Sequence, residues 1–228
     1  MAFKIIGTSH ISAQSINEIR KEILEEKPDI VALELDTNRA SALMEGEKNK
    51  ITLSQILRIG VKGFVFAKVG QYVQQKLGKV VGVSPGSEMK TALELAKKEK
   101  LKIALIDQPI QITLKNFSKQ LTWKEKFRFI GDIFKGLFFP RKQIKSLGLD
   151  KLDLTKIPTQ EVIEKMMGQL EGRYPSIHKT LVSDRNKYMV RKLIRLMREY
   201  PDKKIIVIVG AGHKKGMEEL LLKVDILR

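Results

Sequence analysis

The sequence predicts an α/β protein with a mixed or mostly parallel central sheet, helices on both faces and a helical insertion. Short apolar, β-branched runs end at a glycine or a carboxylate, as fully buried strands do. Helical patterns, with apolar residues three and four positions apart, separate these runs. The chain has 228 residues, of which 43% are hydrophobic and 30% are charged. That length and composition suit one globular domain over residues 1–228.

The composition excludes several classes of protein. Cysteine is absent, which rules out disulfides, thiolate zinc sites and cysteine nucleophiles. The formal charge of +17 favours an anionic partner, or else reflects lysines on solvated helix surfaces. No RNA-binding signature or zinc finger supports specific nucleic-acid binding. We expect a cytoplasmic protein, because residues 3–7 already form a strand and no apolar run is long enough to span a membrane.

The first half of the chain is predicted to begin with a β–α–β unit. Residues 3–7 form the first strand, 12–26 a helix and 30–33 the second strand, and the two strands should be parallel with a right-handed crossover. Residues 37–44 follow as a further helix. The stretch 52–77 is largely apolar and interrupted by glycines, which predicts a broken helix or a helical hairpin packed in the core or in a homodimer contact.

The middle of the chain supplies a third strand. A loop leads into a helix over 87–100, with Ser87 as its N-cap and Glu88 in its first turn, where the helix dipole favours a carboxylate. The strand over 101–106 then ends at Asp107.

Residues 108–180 differ from the rest of the chain. Strand signals stop there and lysines cluster with aromatic residues, which predicts a basic helical insertion. Such a segment serves as a cap over a site, as a dimer arm, or as a surface that lies on an anionic membrane. A long helix over 177–200, a strand over 205–209 and a helix near 214–222 complete the chain.

All four predicted strands end in polar residues. The first and last strands run into Gly-x-x-His and end at His10 and His213, while the middle strands end at Glu34 and Asp107. Ligands of open α/β sheets bind beyond the carboxyl ends of the strands. Imidazoles and carboxylates together suit zinc, manganese, iron or cobalt. The alternatives are histidines that only make structural hydrogen bonds and carboxylates that only cap helices.

Two arginines are candidate anion-binding groups. Arg39 follows Asp36, and Arg185 follows Asp184. Each arginine therefore either holds a carboxylate or oxyanion of a substrate or forms a structural ion pair with its acidic neighbour. Ser9 and Arg39 are the candidate substrate-binding residues.

Several stretches, taken in order, resemble the TraB/PrgY pheromone-shutdown family, which groups with the Tiki metallopeptidases and with erythromycin-esterase-like and ChaN-like proteins. Two departures are Gln108, where the family usually has arginine, and Asp184, where it usually has glutamate. The matching stretches are Gly-Thr-Ser-His-Ile-Ser at 7–12, Lys-Pro-Asp-Ile-Val-Ala-Leu-Glu-Leu-Asp at 27–36 with Arg39, Pro-Gly-Ser-Glu-Met at 85–89, Leu-Ile-Asp-Gln-Pro-Ile at 105–110, Ser-Asp-Arg-Asn-Lys-Tyr-Met at 183–189 and Val-Ile-Val-Gly-Ala-Gly-His at 207–213.

The resemblance implies a peptidase-like fold that depends on a divalent metal such as manganese, cobalt or zinc. A metal-bound water of lowered pKa would attack a peptide carbonyl. The implied site residues are the metal ligands His10, His213 and Glu88, the general base or further ligand Glu34, and Asp107 with Arg185, which would orient water or stabilise an oxyanion.

Three functions are therefore open from the sequence. The first is cleavage or inactivation of a peptide by a metal-dependent hydrolase. The second is a non-catalytic module that binds or sequesters a peptide or a small-molecule ligand. The third is an adaptor that contacts an anionic membrane surface through the basic insertion.

Overall fold

The computed structural model describes residues 3–8, 13–45, 86–138 and 159–226. In this part of the chain, four strands form one sheet in the order β1-β4-β2-β3, and every neighbouring pair is parallel. The α/β class and the mostly parallel sheet are thus confirmed, and the carboxyl ends of all four strands lie at one edge. The strands are β1 (Phe3–Thr8), β2 (Ile30–Leu33), β3 (Lys102–Leu105) and β4 (Ile205–Gly210).

Helices make up most of the remaining described residues. A π-helical turn, Lys179–Ser183, separates two of them. The helices are α1 (Ala13–Glu26), α2 (Thr37–Glu45), α3 (Ser87–Lys98), α4 (Ile110–Gln120), α5 (Trp123–Phe138), α6 (Gln160–Arg173), α7 (Pro175–His178), α8 (Asp184–Glu199) and α9 (Ala211–Ile226).

The sheet is buried on both faces, as its continuous apolar strands predict. Because side chains alternate along a strand, Ile206 faces a cluster with α1 and α3, whereas Val207 faces a cluster with α8 and α9. Ile19 of α1 and Leu193 of α8 are fully buried in the respective clusters. Each such aliphatic side chain contributes about 1.5–3 kcal/mol by leaving water. The predicted helices on both faces are confirmed.

The described parts of 108–180 are mostly helical, and two carboxylates, Glu125 and Asp132, hold these helices together. Thr122 and Glu125 form a capping box at the start of α5, and Glu125 Oε1 also accepts a hydrogen bond of 2.8 Å from Ser176 N. Burial raises the pKa of Glu125, but the hydrogen bonds from Ser176 and Thr122 outweigh burial and hold it below 4.5. Farther along α5, Asp132 accepts a bond of 2.5 Å from the Tyr174 hydroxyl. Burial and this bond raise the pKa of Tyr174 to about 12.

Three details differ from the sequence prediction. The long helix predicted over 177–200 is interrupted by the π-helical turn, which places the next helix start at Asp184. The last helix begins at Ala211, directly after β4, so His213 lies in its first turn rather than in a loop. The N-cap of α3 is Gly86, with φ of 82°, and not Ser87. A left-handed φ is accessible to glycine at little cost, so the cap position falls there.

The helix predicted over 52–77 lies outside the described residues. Within the described ranges, no helix is both long enough and apolar enough to cross a membrane.

Candidate functional site

A buried cluster of charged and polar side chains lies at the carboxyl edge of the sheet. Glu34 follows β2, Asp107 follows β3 by two residues, and His213 follows β4, as the parallel topology requires. Their exposed fractions are 5%, 1% and 8%. Arg185, from the first turn of α8, reaches all three of these side chains.

Arg185 is the centre of the cluster. Its Nε and Nη2 donate to the two oxygens of Asp107 over 3.1 Å and 2.5 Å, and Nη2 also donates to Glu34 Oε1. Its Nη1 donates over 3.2 Å to the carbonyl of Leu181 in the π-helical turn. Burial lowers the pKa of Arg185, but the charges of Glu34 and Asp107 outweigh burial and raise it.

The expected ion pair between Arg185 and its neighbour Asp184 is not formed. Asp184 instead accepts a 2.9 Å bond from Lys179 Nζ on the helix surface. Adjacent residues of a helix point in directions about 100° apart, so the two side chains leave α8 on different sides.

The contacts of His213 fix its tautomer. Arg185 Nη1 lies 3.1 Å from His213 Nε2, and a guanidinium group can only donate. Nε2 is therefore an acceptor, the ring proton is on Nδ1, and Nδ1 donates over 2.6 Å to Asn186 Oδ1. Nε2 also lies 3.2 Å from Glu34 Oε1, so this nitrogen faces the cluster.

Asn186 and Gly216 are site residues that the sequence analysis missed. Asn186 is 4% exposed, and its Oδ1 is hydrogen-bonded to Nδ1 of the His213 ring. A Cβ atom on Gly216 of α9 would lie closer than 3.0 Å to Asn186 Nδ2, so glycine leaves the room that this amide needs. A glycine inside a helical pattern, three residues after the histidine, was the available signal.

Glu34 is held at both carboxylate oxygens. Oε2 accepts a bond of 2.6 Å from the Gly210 backbone N–H at the end of β4. Oε1 accepts from Arg185 and lies 3.2 Å from His213 Nε2. Glu34 Oε1 and His213 Nε2 therefore face each other within the cluster.

Arg39 and Asp36 extend the cluster outward. Asp36 caps two helices, because its oxygens accept from Asn38 N at the start of α2 and from Ile110 N at the start of α4. Arg39 donates to Asp36 over 2.7 Å and to Asp107, so the ion-pair alternative holds for this arginine. Burial lowers the pKa of Arg39, but the charges of Asp107 and Asp36 and the hydrogen bonds to them together outweigh burial and raise it.

The other predicted site residues are placed as follows. Ser9 and His10 lie outside the described residues. Glu88 is 1% exposed in the first turn of α3. Gln108 is buried, and its Nε2 donates over 3.0 Å to Thr113 Oγ1.

The donor atoms present fit part of a divalent-metal site. His213 offers an oriented Nε2 lone pair beside a carboxylate oxygen, and its other nitrogen is fixed by a carbonyl oxygen, as in metal-bound histidines. Within the described ranges, no three histidine or acidic side chains are arranged to hold an ion. Arg185 Nη1 uses the same lone pair, so this contact and metal binding at Nε2 exclude each other.

A cavity of about 470 Å³ lies between α6, the π-helical turn, α8 and α9. Asn186 and Gly216 line it, together with apolar groups such as Met167 and polar groups such as His178. Its volume falls in the range of small-ligand pockets. Asn186 is thus shared between the cavity and the buried cluster.

Residues 3–224 of the chain match the TraB/PrgY/gumN family. An uncharacterized protein of Methanocaldococcus jannaschii, MJ1365, is 35% identical over 224 residues, which are 97% of this chain and 53% of that protein. A human TraB domain-containing protein is 28% identical over 243 residues, with 94% of this chain and 61% of that protein covered. The mouse protein of the same name is 27% identical over 243 residues, with the same 94% and 61% covered. The chain therefore spans 53–61% of the length of these relatives.

Proposed function

The chain belongs to the TraB/PrgY/gumN family, and we propose that it is a divalent-metal-dependent, peptidase-like protein that cleaves or inactivates a peptide at the carboxyl edge of its sheet. The single observation that carries this proposal is the buried His213, whose Nδ1 is bonded to Asn186 and whose Nε2 lies 3.2 Å from Glu34 Oε1.

The metal ligands in this proposal are His213, His10 and Glu88, with Glu34 as a further ligand or the general base. Manganese, cobalt and zinc all accept imidazole and carboxylate donors. When bound, such an ion supplies a water molecule whose pKa is lowered to near neutrality.

Asn186 keeps the His213 ring in the tautomer whose Nε2 can act as a ligand. The 2.6 Å bond from Nδ1 to Asn186 Oδ1 is the contact through which it acts. The Gly210 N–H and Arg185 hold the carboxylate of Glu34 in position when substrate or metal binds. Asn186 thus orients His213, and Gly210 with Arg185 orients Glu34, as the hydrogen-bonding partners of metal ligands and reacting groups do.

Arg185 supplies positive charge to the oxygen of the scissile carbonyl. Its Nε and Nη2 are bonded to Asp107, so an Nη1 N–H that no longer bonds His213 is available to a substrate oxygen while this anchor stays in place. Preorganised donors at such a position stabilise the developing oxyanion. Asp107 is 1% exposed and acts by positioning Arg185 and Arg39.

The test is metal content of the purified protein, with and without loading by manganese, cobalt or zinc, followed by a peptide-cleavage screen. Wild type is compared with His10→Ala and His213→Ala. His178→Ala is the matched control, because His178 is the third histidine of the chain and bonds Ser183 rather than the cluster. We expect near-stoichiometric metal and cleavage in wild type and His178→Ala, and neither in the other two variants.

Retention of metal by His213→Ala would place any ion elsewhere and refute this assignment. Metal without cleavage of any peptide in the screen, under conditions where wild type is folded, would refute the catalytic part alone.

The cavity lined by Asn186 and Gly216 favours a second candidate, a non-catalytic module that binds a peptide or small molecule. Arg185 already satisfies Glu34, Asp107 and His213 without a metal. This candidate predicts saturable peptide binding with no turnover and no retained metal. Calorimetric titration of metal-free protein with the same peptides distinguishes it from the first.

A further inference from the structure

The start of α5 exposes two large aromatic side chains on one face. Trp123 and Phe127 are one helical turn apart and are 68% and 70% exposed. Their ring centroids lie 6.2 Å apart, with the planes tilted by 30°. Together the two rings form an exposed aromatic patch, and patches of this kind often mark interaction sites.

Basic groups surround this pair. Lys126 Nζ lies 4.1 Å from the centroid of the Trp123 ring, and Lys124 is exposed beside it. Between residues 110 and 131 the sequence has five basic residues and one acidic residue, Glu125. The local charge is therefore strongly positive in a chain that is itself +17.

The acidic side chains of α5 are turned away from this face. Glu125 is 3% exposed and bonds Ser176 and Thr122 inside the protein. Asp132, nine residues after Trp123, is bound by Arg173 and Tyr174. Around Trp123, the described side chains of α5 that remain outward are aromatic or cationic.

We propose that this face of α5 docks on an anionic lipid surface. Tryptophan and phenylalanine favour the headgroup boundary, and lysines beside them are attracted by anionic headgroups. The aromatic pair stands on a convex helix turn, which suits a flat surface better than the groove that tracks a nucleic-acid strand. A second copy of the chain is disfavoured because two faces of the same positive charge would meet.

Trp123 is the only tryptophan of the chain, so its fluorescence reports on this face without a label. Wild-type protein is mixed with vesicles of phosphatidylcholine containing about one-third phosphatidylserine, and with vesicles of phosphatidylcholine alone. We expect a blue shift of the emission, and quenching by brominated lipid, with the anionic vesicles only. Raising the salt concentration should reverse both.

Variants are compared by co-sedimentation with the same anionic vesicles. Trp123→Ser with Phe127→Ser, and separately Lys124→Glu with Lys126→Glu, should each weaken binding at least about ten-fold, since one lysine near such a surface is worth about five-fold. Circular dichroism establishes that the variants are folded.

Two matched controls change the same chemistry elsewhere. Leu222→Ser removes an exposed apolar side chain from α9, where the residue is 62% exposed. Lys97→Glu with Lys98→Glu reverses two exposed lysines at the end of α3. Both controls should bind vesicles within about two-fold of wild type if the α5 face is the contact.

Several outcomes overturn the proposal. Equal loss of binding in the controls would assign it to overall charge, and sedimentation without a change in Trp123 emission would assign it to another surface. A concentration-dependent shift without vesicles would assign the face to self-association. A shift with single-stranded RNA but not with vesicles would assign it to nucleic acid.

Discussion

Gly216→Ala is the sharpest probe of the site, because it adds one methyl group that touches no charged residue. The new Cβ would lie closer than 3.0 Å to Asn186 Nδ2, so the Asn186 amide must move. Its bond of 2.6 Å to His213 Nδ1 cannot survive that movement unchanged. The fixed orientation of the His213 ring is thereby removed.

The expected change in stability is small. Alanine in place of glycine inside α9 favours the helix by about 1 kcal/mol. Loss of one buried hydrogen bond costs about 1–3 kcal/mol. The sum leaves the variant between equal and about 2 kcal/mol less stable. Metal affinity, by contrast, should fall about 10–100-fold, as it does when the partner of a metal-bound histidine is lost.

Urea denaturation measures the change in the free energy of unfolding, and metal titration measures the change in metal affinity. The ¹⁵N shifts of the His213 ring, one of three histidines in the chain, report the tautomer without any metal. Gly168→Ala is the matched control, since nothing lies within 4 Å of the added Cβ in α6. It should stabilise the protein and leave the ring unchanged. An unaltered tautomer in Gly216→Ala would refute the role of Asn186.

Three further changes test the electrostatics and the core. Arg185→Met leaves carboxylates buried without their main cation and should cost about 3–5 kcal/mol in urea denaturation, with Arg185→Lys a partial rescue. Glu125→Gln should be less stable than wild type at pH 7 by about 1–3 kcal/mol. Because the pKa of Glu125 is lowered from 4.5 in the folded state, that difference should close as the pH falls through and below this value, and a constant gap would contradict the assignment. Leu193→Ala should cost about 2–5 kcal/mol while leaving the His213 tautomer intact, as ¹⁵N shifts would show.

The fold was predictable because its signals are local. Four apolar runs correspond to β1–β4, with ends that agree within one residue, whereas the last helix is longer than predicted by three residues at its start and four at its end. Parallel strands place their carboxyl ends together, so the meeting of Glu34, Asp107 and His213 followed from topology. The π-helical turn did not follow, because the apolar spacing of 177–200 is compatible with a continuous helix.

The side-chain contacts of the site could not be predicted from the sequence, because they depend on the directions in which side chains leave their helices and strands. Arg185 bonds Asp107, 78 residues away, rather than its neighbour Asp184. The Asn186–Gly216 packing joins α8 and α9, and no spacing rule connects these two residues. Local patterns predict which edge of a sheet carries a site, whereas side-chain packing decides which groups touch.

The charge of the buried cluster limits what it can bind. Arg39 and Arg185 supply two positive charges, and Glu34, Asp36 and Asp107 supply three negative ones, so the five side chains sum to −1. A cluster of that sign attracts a cation and repels a free anion. Arg39 pairs with Asp36 and Asp107, and its substrate-binding role stays a prediction. Because Arg185 Nη1 and a metal ion need the same His213 lone pair, cation binding would also release that N–H edge for a substrate oxygen.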